Sequence, residues 1–325
     1  MGEGVVTGSE ITRSLQELGI ESGDVVLFHS ALSSLGYLPG GQETLIDVVL
    51  GAVGPSGTTM VPCFPPFGKP FRPSSSPSMV GSVTEAFRLR DGAVRSLHPT
   101  HSVAAIGRQA RDLTEGHETC RPCGPGSPYD KLRGLGGWIL LIGVDQDRNT
   151  SLHMAEDFVD TPYLHSFDAI LVREDGAHQI VPVERCAGGH REFIGVDKRL
   201  REAGIVRVGH VGGATLRLMP AQALFDYCVS LLEEDMTAFL CSKPRCTFCR
   251  WAEGQVRESQ TGERDPVNWR EVAYEWGCGD ETCEVCYPEI WIEKLFPSRV
   301  TGPAVISVQA GRNVCAGSHG DEEVL

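Results

Sequence analysis

Short apolar runs alternate with segments of helical apolar spacing along the first two thirds of the chain. Apolar residues at helical intervals in Ser9–Leu18 and Glu43–Val53 predict helices, whereas the compact runs Val25–Phe28 and Thr58–Phe64 predict buried strands. The same criteria predict strands at 103–107, 138–144 and 206–211, a hairpin of strands 170–172 and 179–183, and helices at 81–90, 108–118, 192–203 and 220–234. Such an alternation of strands and helices is typical of a layered α/β protein.

Two stretches depart from this pattern. The segment Pro62–Pro77 is crowded with Pro, Phe and Ser, which predicts a long ordered loop of the kind that often covers a site. Near residue 237 the apolar periodicity fades, and Cys, Trp and charged residues take over. We therefore predict a core over residues 1–236, a Cys-rich module over 237–306 and a polar tail over 307–325.

Composition narrows the class of protein. An apolar content of 41% over 325 residues indicates a globular chain, and 43 acidic against 29 basic residues give a net charge of −14. This balance argues against nucleic-acid binding and favours attraction of small cationic molecules. The N-terminal segment has no basic and apolar signal pattern, and no apolar run reaches the roughly 18 to 20 residues that span a bilayer. We expect a cytoplasmic protein that does not bind membranes.

The segment DRNTSLHMAE, Asp147 to Glu156, carries the clearest candidate chemistry. It follows a buried strand, and Asn149 or Thr150 would serve as the N-cap of a helix. His153 and Glu156 then share a helix face, where the carboxylate can orient or charge-balance the imidazole for proton abstraction. A histidine near a helix start is more often a packing residue, so both roles remain open.

Six of the twelve cysteines form a duplicated pattern in the predicted C-terminal module. One triplet recurs with every Cys displaced by 37 residues, as Cys241, Cys246 and Cys249 and then Cys278, Cys283 and Cys286. The two CxxC pairs have the spacing of zinc knuckles, so we predict one structural zinc ion, with the choice of ligands open among the six. A plant-type [2Fe–2S] cluster and disulfides are the alternatives, which the duplication and the presumed reducing compartment respectively argue against.

The core resembles the antibiotic N-acetyltransferase family, typified by the aminoglycoside 3-N-acetyltransferases. The resemblance covers about residues 9 to 235 and rests on motifs in family order, namely GDVVLFHSALSSLG, GPSGT, PSMVGSVTEAFR, RSLHPTHSVAAIG, GPGSPYDKL, LLIGVDQDRNTSLHMAE and VGHVGGATLRLM. It implies a layered α/β sandwich particular to this family, acetyl-CoA as the donor and a small-molecule amine as the acceptor. The family core lacks the Cys-rich extension.

In that role, the acceptor amine must lose a proton as it attacks the thioester, because at neutral pH it is mostly protonated. His153 is the candidate base, and Glu156 would hold its productive tautomer or pair with the incoming ammonium, with Asp147 a weaker candidate for the same duty. Thr150, Ser151 or backbone N–H groups at the helix start would supply donors to the oxyanion.

The resemblance also implies the donor site. The segment from His29 to Gly36 is similar to the part of the family that contacts coenzyme A, where small hydroxyl residues at a helix start can hydrogen-bond phosphate or amide groups. The candidate donor contacts are His29, Ser30, Ser33, Ser34, Leu35, Arg95, His98 and Ser102. For Arg95 and His98, anchoring of a loop is the alternative to binding the phosphates.

One departure from the family and several functional alternatives stay open. Cys63 stands where the family tends to carry a Thr, either as a buried inert thiol or as the nucleophile of a ping-pong route. The acceptor could be an aminoglycoside or a biosynthetic amine, with a carrier protein or a second copy of the chain as further partners. Hydrolysis of an amide or thioester, and a catalytically silent metal-binding scaffold, are the other hypotheses.

Overall fold

The computed structural model describes residues 4–188, 191–244 and 246–262. The helices are α1 (Gly8–Leu18), α2 (Gly41–Val53), α3 (Ser82–Arg88), α4 (Ala110–Thr114), α5 (Pro128–Gly134), α6 (His153–Phe158), α7 (Phe193–Glu202), α8 (Ala221–Glu234) and α9 (Thr247–Thr261). The strands are β1 (Val25–Ser30), β2 (Thr58–Pro62), β3 (Val94–Arg95), β4 (Val103–Gly107), β5 (Trp138–Ile142), β6 (His165–Val172), β7 (His178–Cys186), β8 (Arg207–Val211) and β9 (Ala214–Pro220).

Seven of the strands form one mixed sheet in the order β3-β4-β2-β1-β5-β9-β8, and β6 pairs with β7 as a separate hairpin. Strand β1 is parallel to both β2 and β5, whereas the remaining pairs are antiparallel. The predicted α/β class is confirmed. Strand β9 was not predicted, although its apolar positions alternate with Thr215 and Arg217 directly after Gly212 and Gly213, which is the pattern of a half-buried strand.

Side chains of the central strands alternate between two apolar cores, one on each face of the sheet. Leu27 and Ile139 belong to one core, while Phe28 and Leu140 belong to the other. The alternation follows from the two-residue period of a strand, and it explains why β1 and β5 are almost continuously apolar. Helices α1, α2 and α3 contribute to the second core, and α4, α5, α7 and α8 contribute to the first.

The first helix begins one residue earlier than predicted. Thr7 is the N-cap, and its hydroxyl accepts from the Glu10 N–H while the Glu10 carboxylate accepts from the Thr7 N–H. The helix ends at Leu18, and its C-cap Gly19 has a φ of 99°, in the left-handed region. None of the helices in the described part of the chain combines the length and apolar character that crossing a bilayer requires.

The carboxyl ends of β1, β2 and β5 meet at one edge of the sheet, because these strands run in the same direction. The loops that leave them touch closely. A Cβ at Gly143, after β5, would collide with the Ser34 Oγ in the segment after β1, and the φ of Gly143 is +65°. The backbone of one loop therefore rests directly on the other, which places the predicted donor segment beside the segment that carries His153.

The described part of the predicted Cys-rich module packs against the core through α9. Phe248, Cys249 and Trp251 form an apolar cluster with Cys241 and with Tyr163, which lies just before β6. The predicted boundary at residue 236 remains a prediction. The second cysteine triplet and the predicted polar tail lie outside the described residues.

Candidate active site

The segment after β5 reaches His153 through two short 3-10 turns, 146–148 and 150–152, rather than through one longer helix. Asn149 caps the second turn, since its side-chain oxygen accepts from the Ser151 N–H at 3.2 Å. Its amide nitrogen donates to the buried Gln146 side chain at 2.8 Å. This hydrogen-bonded frame fixes where α6 begins, and α6 begins at His153.

His153 and Glu156 lie on one face of α6, as their spacing predicts. The His153 Nδ1 lies 2.5 Å from the Glu156 Oε2, with 18% of the histidine side chain exposed and the carboxylate fully buried. Because a carboxylate accepts hydrogen bonds, the contact assigns the proton to Nδ1 and leaves the lone pair on Nε2. The imidazole is thus held in the tautomer that a base requires.

Arg191 completes this group, and sequence analysis missed it. Its Nε donates to the other Glu156 oxygen, Oε1, at 2.5 Å, and its Nη1 donates to the Gly188 carbonyl at 3.1 Å. The guanidinium lies between two aromatic rings, 4.8 Å from the centre of Tyr163 and 4.6 Å from that of Phe248. No local pattern could have found it, because Arg191 is 35 residues from Glu156 and meets it only in the folded chain.

The ion pairs determine the charge of Glu156. Burial alone would raise the pKa of this carboxyl, but the positive charge of Arg191 and the hydrogen bond with His153 outweigh burial and lower the pKa to about 2. Glu156 is therefore an anion throughout the neutral range. It can stabilise a protonated His153 but has little tendency to take the proton itself.

The other residues predicted for the chemical step lie around this pair. Asp147 is exposed and pairs with Arg148 at 3.2 Å, so Glu156 is the carboxylate that bonds His153. Thr150 and Ser151 are buried in the turn directly before α6. The Ser151 Oγ is buried with no hydrogen-bond partner among the described residues. The role of Thr150 and Ser151 in stabilising the oxyanion remains a prediction.

A cavity of about 490 Å³ opens beside the segment after β1. It is lined by Ser30, Ala31, Leu32, Ser33, Gly36, Tyr37, Leu38, Gly41 and residues 80–84. Of the predicted donor contacts in this segment, the cavity includes Ser30 and Ser33, and the Ser30 Oγ has no hydrogen-bond partner among the described residues. The other three, His29, Ser34 and Leu35, do not line the cavity. His29 and Leu35 are buried, and the Ser34 hydroxyl donates to the Ala31 carbonyl.

Arg95 and Ser102 donate hydrogen bonds to backbone carbonyls of the long loop after β2 and so hold it in place. The Arg95 guanidinium donates to the carbonyls of Cys63 at 2.7 Å and Pro73 at 3.2 Å, and also to that of Ser76. Ser102 donates to the same Cys63 carbonyl. These contacts correspond to the loop-anchoring alternative for Arg95, and they leave contact of either residue with the donor as a prediction.

His98, the remaining predicted donor contact, lies fully buried in a group of three histidines with His101 and His117. The rings of His98 and His117 are 4.6 Å apart, and the His98 Nδ1 accepts from the backbone N–H groups of Thr100 and His101. Burial is the main cause that lowers the pKa of His101 and of His117 to about 3 and that of His98 well below its usual value. All three are therefore neutral.

The Cys63 thiol is fully buried, and burial raises its pKa. A nucleophilic cysteine requires the opposite, a lowered pKa and access to substrate. The structure therefore favours the inert thiol over the ping-pong route.

Cys241, Cys246 and Cys249 come together at the start of α9. Their three Sγ atoms lie within 4.8 Å of one another, and the Cys241 N–H donates to the Cys249 Sγ at 3.3 Å. This brings together one complete triplet of the repeat, including Cys241, whose participation the sequence left open. The arrangement has the donor type that zinc prefers.

Comparison with known proteins identifies similar enzymes. The aminoglycoside 3-N-acetyltransferase family model matches residues 27–233. Aminoglycoside N(3)-acetyltransferase VII of Streptomyces paromomycinus is 35% identical over 272 residues, covering 72% of this chain and 94% of that protein.

Two solved structures are similar as well. A histidine-to-alanine variant of AAC(3)-IVa in complex with a gentamicin has a TM-score of 0.71 at 30% identity, covering 78% of this chain and 98% of that one. AAC-IIIb in a binary complex with CoASH has a TM-score of 0.66 at 27% identity, covering 74% and 100%.

Proposed function

Because this chain belongs to the aminoglycoside 3-N-acetyltransferase family and is an N-acetyltransferase, we propose that it moves the acetyl group of acetyl-CoA to an aminoglycoside amine, with His153 as general base. The observation that carries the proposal is the partly exposed imidazole hydrogen-bonded to a buried carboxylate at the edge of the sheet where the donor segment also ends.

The chemistry follows from this arrangement. The acceptor, which is mostly protonated at neutral pH, first releases one proton to solvent. The His153 Nε2 takes a second N–H proton as the nitrogen attacks the thioester carbonyl. A C–N bond forms, the C–S bond breaks, and the coenzyme A thiolate takes up the proton from the imidazolium. Glu156 stabilises that imidazolium while it exists and keeps Nε2 directed away from α6.

The donor site of the proposal is the cavity beside Ser30 and Ser33. It can admit the slender pantetheine arm, and the unpaired Ser30 hydroxyl offers a hydrogen bond to one of its amides. The complex of AAC-IIIb with CoASH supports coenzyme A as the donor class for a relative of this chain.

The acceptor class is supported by charge and by relatives. Aminoglycosides are polycations, and the chain carries a net charge of −14. The AAC(3)-IVa variant binds a gentamicin, and AAC-VIa, 28% identical over 70% of this chain, binds sisomicin.

The test is acetyl-CoA-dependent thiol release with gentamicin, sisomicin, apramycin and simple amines, with mass spectrometry of each acceptor. We expect thiol release together with a mass gain of one acetyl group on an aminoglycoside. Thiol release with free acetate and an unchanged acceptor would replace the proposal with hydrolysis. No release with any aminoglycoside would exclude this acceptor class.

We propose in addition that Cys241, Cys246 and Cys249 hold a structural zinc ion, supported by three thiols within 4.8 Å. The predicted further thiols, Cys278, Cys283 and Cys286, lie outside the described residues. Elemental analysis of the full chain, purified without chelator, should give about one zinc per chain. The variant C246S should lose the metal, whereas C120S, a half-buried loop cysteine, should keep it. Iron with visible absorbance, or no metal, would contradict the proposal.

A further inference from the structure

Arg191 contacts both the candidate active site and the predicted Cys-rich module. On one side its Nε is bonded to Glu156, the carboxylate behind the candidate base. On the other side its guanidinium is covered by Phe248, which belongs to α9 in the predicted Cys-rich module. A residue in this position can transmit the placement of α9 to the base.

The position of the guanidinium is fixed from several directions. Arg191 is only 8% exposed, and the rings of Tyr163 and Phe248 both lie within 5 Å of it. An aromatic ring attracts a cation over its face, and the attraction is strongest where water is excluded. Tyr163 is itself held, since its hydroxyl donates to the Met236 carbonyl at 3.0 Å. The Arg191 guanidinium is therefore held in one position, between two rings from two different segments of the chain.

Phe248 is placed by the thiol cluster. It lies between Cys246 and Cys249 in the chain, and both of these thiols belong to the cluster. The Cys241 N–H donates to the Cys249 Sγ, and Arg250 donates to the Cys241 carbonyl. Whatever holds the three sulfur atoms together consequently holds the Phe248 ring over Arg191.

Glu156 needs Arg191 for more than charge balance. Its carboxylate is fully buried, and each of its two oxygens has one cationic or imidazole partner, Arg191 on Oε1 and His153 on Oε2. A buried carboxylate deprived of its cation becomes protonated or rotates toward water. Either change removes the acceptor that keeps the proton on the His153 Nδ1.

We propose that Arg191 is a positioning residue for acetyl transfer and that the Phe248 ring holds it in place. Through this ring, the presence or absence of a metal ion at the thiol cluster sets the rate of the chemical step. The proposal rests on the proposed role of His153 as base. It assigns the Cys-anchored helix a part in catalysis although none of its residues needs to touch either substrate.

The first test compares R191A and R191K with the unchanged enzyme in steady-state acetyl transfer. We expect R191A to lower kcat on the order of 100-fold, because the base loses its orientation, with the KM for acetyl-CoA changed less than about threefold. R191K, which retains the charge without the planar fork, should lie between them. The matched control is R133A, since Arg133 also pairs with a carboxylate, Asp130, and lies over a ring, Phe225.

Chemical rescue separates positioning from simple structural support. Removing the Arg191 side chain leaves a space shaped for a guanidinium between two rings and a carboxylate. Added guanidinium chloride at low millimolar concentration should restore kcat of R191A at least fivefold and should do nothing for H153A. A kcat of R191A within threefold of the unchanged enzyme, or rescue of both variants alike, would overturn the proposal.

The link to α9 has its own test, which also serves if R191A fails to fold. F248L keeps an apolar side chain on α9 but removes the ring face, so kcat should fall about five- to tenfold with KM unchanged. Removing the metal with a chelator should lower kcat of the unchanged enzyme by a similar factor and should have no further effect on R191A. Unchanged kcat in F248L, or additive losses, would contradict the link.

The outcome for His153 distinguishes the two proposals. If H153A is as active as the unchanged enzyme, the proposed base is wrong whatever Arg191 does. If H153A is inactive while R191A has normal kcat, the base stands and only the positioning role of Arg191 falls.

Discussion

Two histidine sites, a buried group of three and the single His153, lie near each other in this molecule and have different surroundings. His98, His101 and His117 form hydrogen bonds with hydroxyls, backbone N–H groups and the Pro122 carbonyl, and burial keeps them neutral. His153 lies close enough for a positive charge on it to lower the pKa of His101, and it is partly exposed and bonded to a buried carboxylate.

The difference shows that the neighbours of an imidazole determine what it can do. A buried histidine without an anion resists protonation, so it serves as a neutral hydrogen-bonding and packing group. A histidine with a fixed carboxylate on one nitrogen and access on the other can accept a proton and be stabilised while it holds it. The four predictions below test this contrast.

Replacing the base should have the largest effect. H153A should lower kcat by about 10³-fold or more, because general-base assistance and the oriented lone pair are lost together, while coenzyme A binding measured by calorimetry stays within about twofold. H210A, which alters an exposed histidine on β8, is the control. If H153A retains more than a tenth of the kcat of the unchanged enzyme, His153 is not the base, and its role is no more catalytic than that of the three buried histidines.

Removing only the charge behind the base should have the next largest effect. E156Q keeps the shape of the side chain but cannot act as an anion, so the imidazolium loses its stabilisation and kcat should fall on the order of 100-fold. The measurement is steady-state kcat with saturating acetyl-CoA and aminoglycoside. A kcat equal to that of the unchanged enzyme would mean that the contrast between the two groups does not depend on Glu156.

The neutral group should make the fold sensitive to acid. The pKa values of His101 and His117 are about 3 in the folded chain against an ordinary value of 6.5, so below pH 6.5 the unfolded chain binds more protons. Their contribution to stability is fully present above pH 6.5 and is lost progressively as the pH falls toward 3. From pH 7.5 to pH 5 the free energy of unfolding should fall by about 2 kcal/mol for each of them.

Urea denaturation at the two pH values measures this loss. H117Q should show a smaller difference between the two midpoints than the unchanged protein, since it cannot take up a proton. A midpoint that does not move between pH 7.5 and pH 5 would show that the buried group is not held neutral.

The smallest effect is expected outside both groups, in the donor cavity. S33A removes one exposed hydroxyl from the lining, which should raise the KM for acetyl-CoA about two- to fivefold and leave kcat unchanged. S230A, on α8, is the control. A lowered kcat in S33A would mean that the donor segment takes part in the chemical step as well as in binding.

The parts of this site that sequence could predict are those set by local geometry. The apolar runs identified β1 and β5, and the spacing of His153 and Glu156 predicted their contact within one helix. Parallel strands then bring the donor and base segments to one edge. Each inference needed only the period of a helix or a strand.

The parts that could not be predicted depend on tertiary contacts. Arg191 follows Glu156 by 35 residues and contacts it only in the folded chain, so no spacing rule connects the two residues. The burial of His98 was equally hidden, because RSLHPTHS has the composition of an exposed polar loop. Strand β9 follows the alternation of a half-buried strand, but the bonds of the Arg217 guanidinium to Asp145 and Asp197 could not be predicted.

The contact of Gly143 with Ser34 limits how this enzyme can evolve. A side chain at residue 143 would separate the base-bearing loop from the donor-bearing loop, and with them the two reacting groups, so we expect selection to leave this position unchanged. If the proposed function holds, we expect changes in acceptor preference to come from side chains outside this contact, which can vary without moving the two loops apart. A single glycine thus sets how closely the two loops can approach each other.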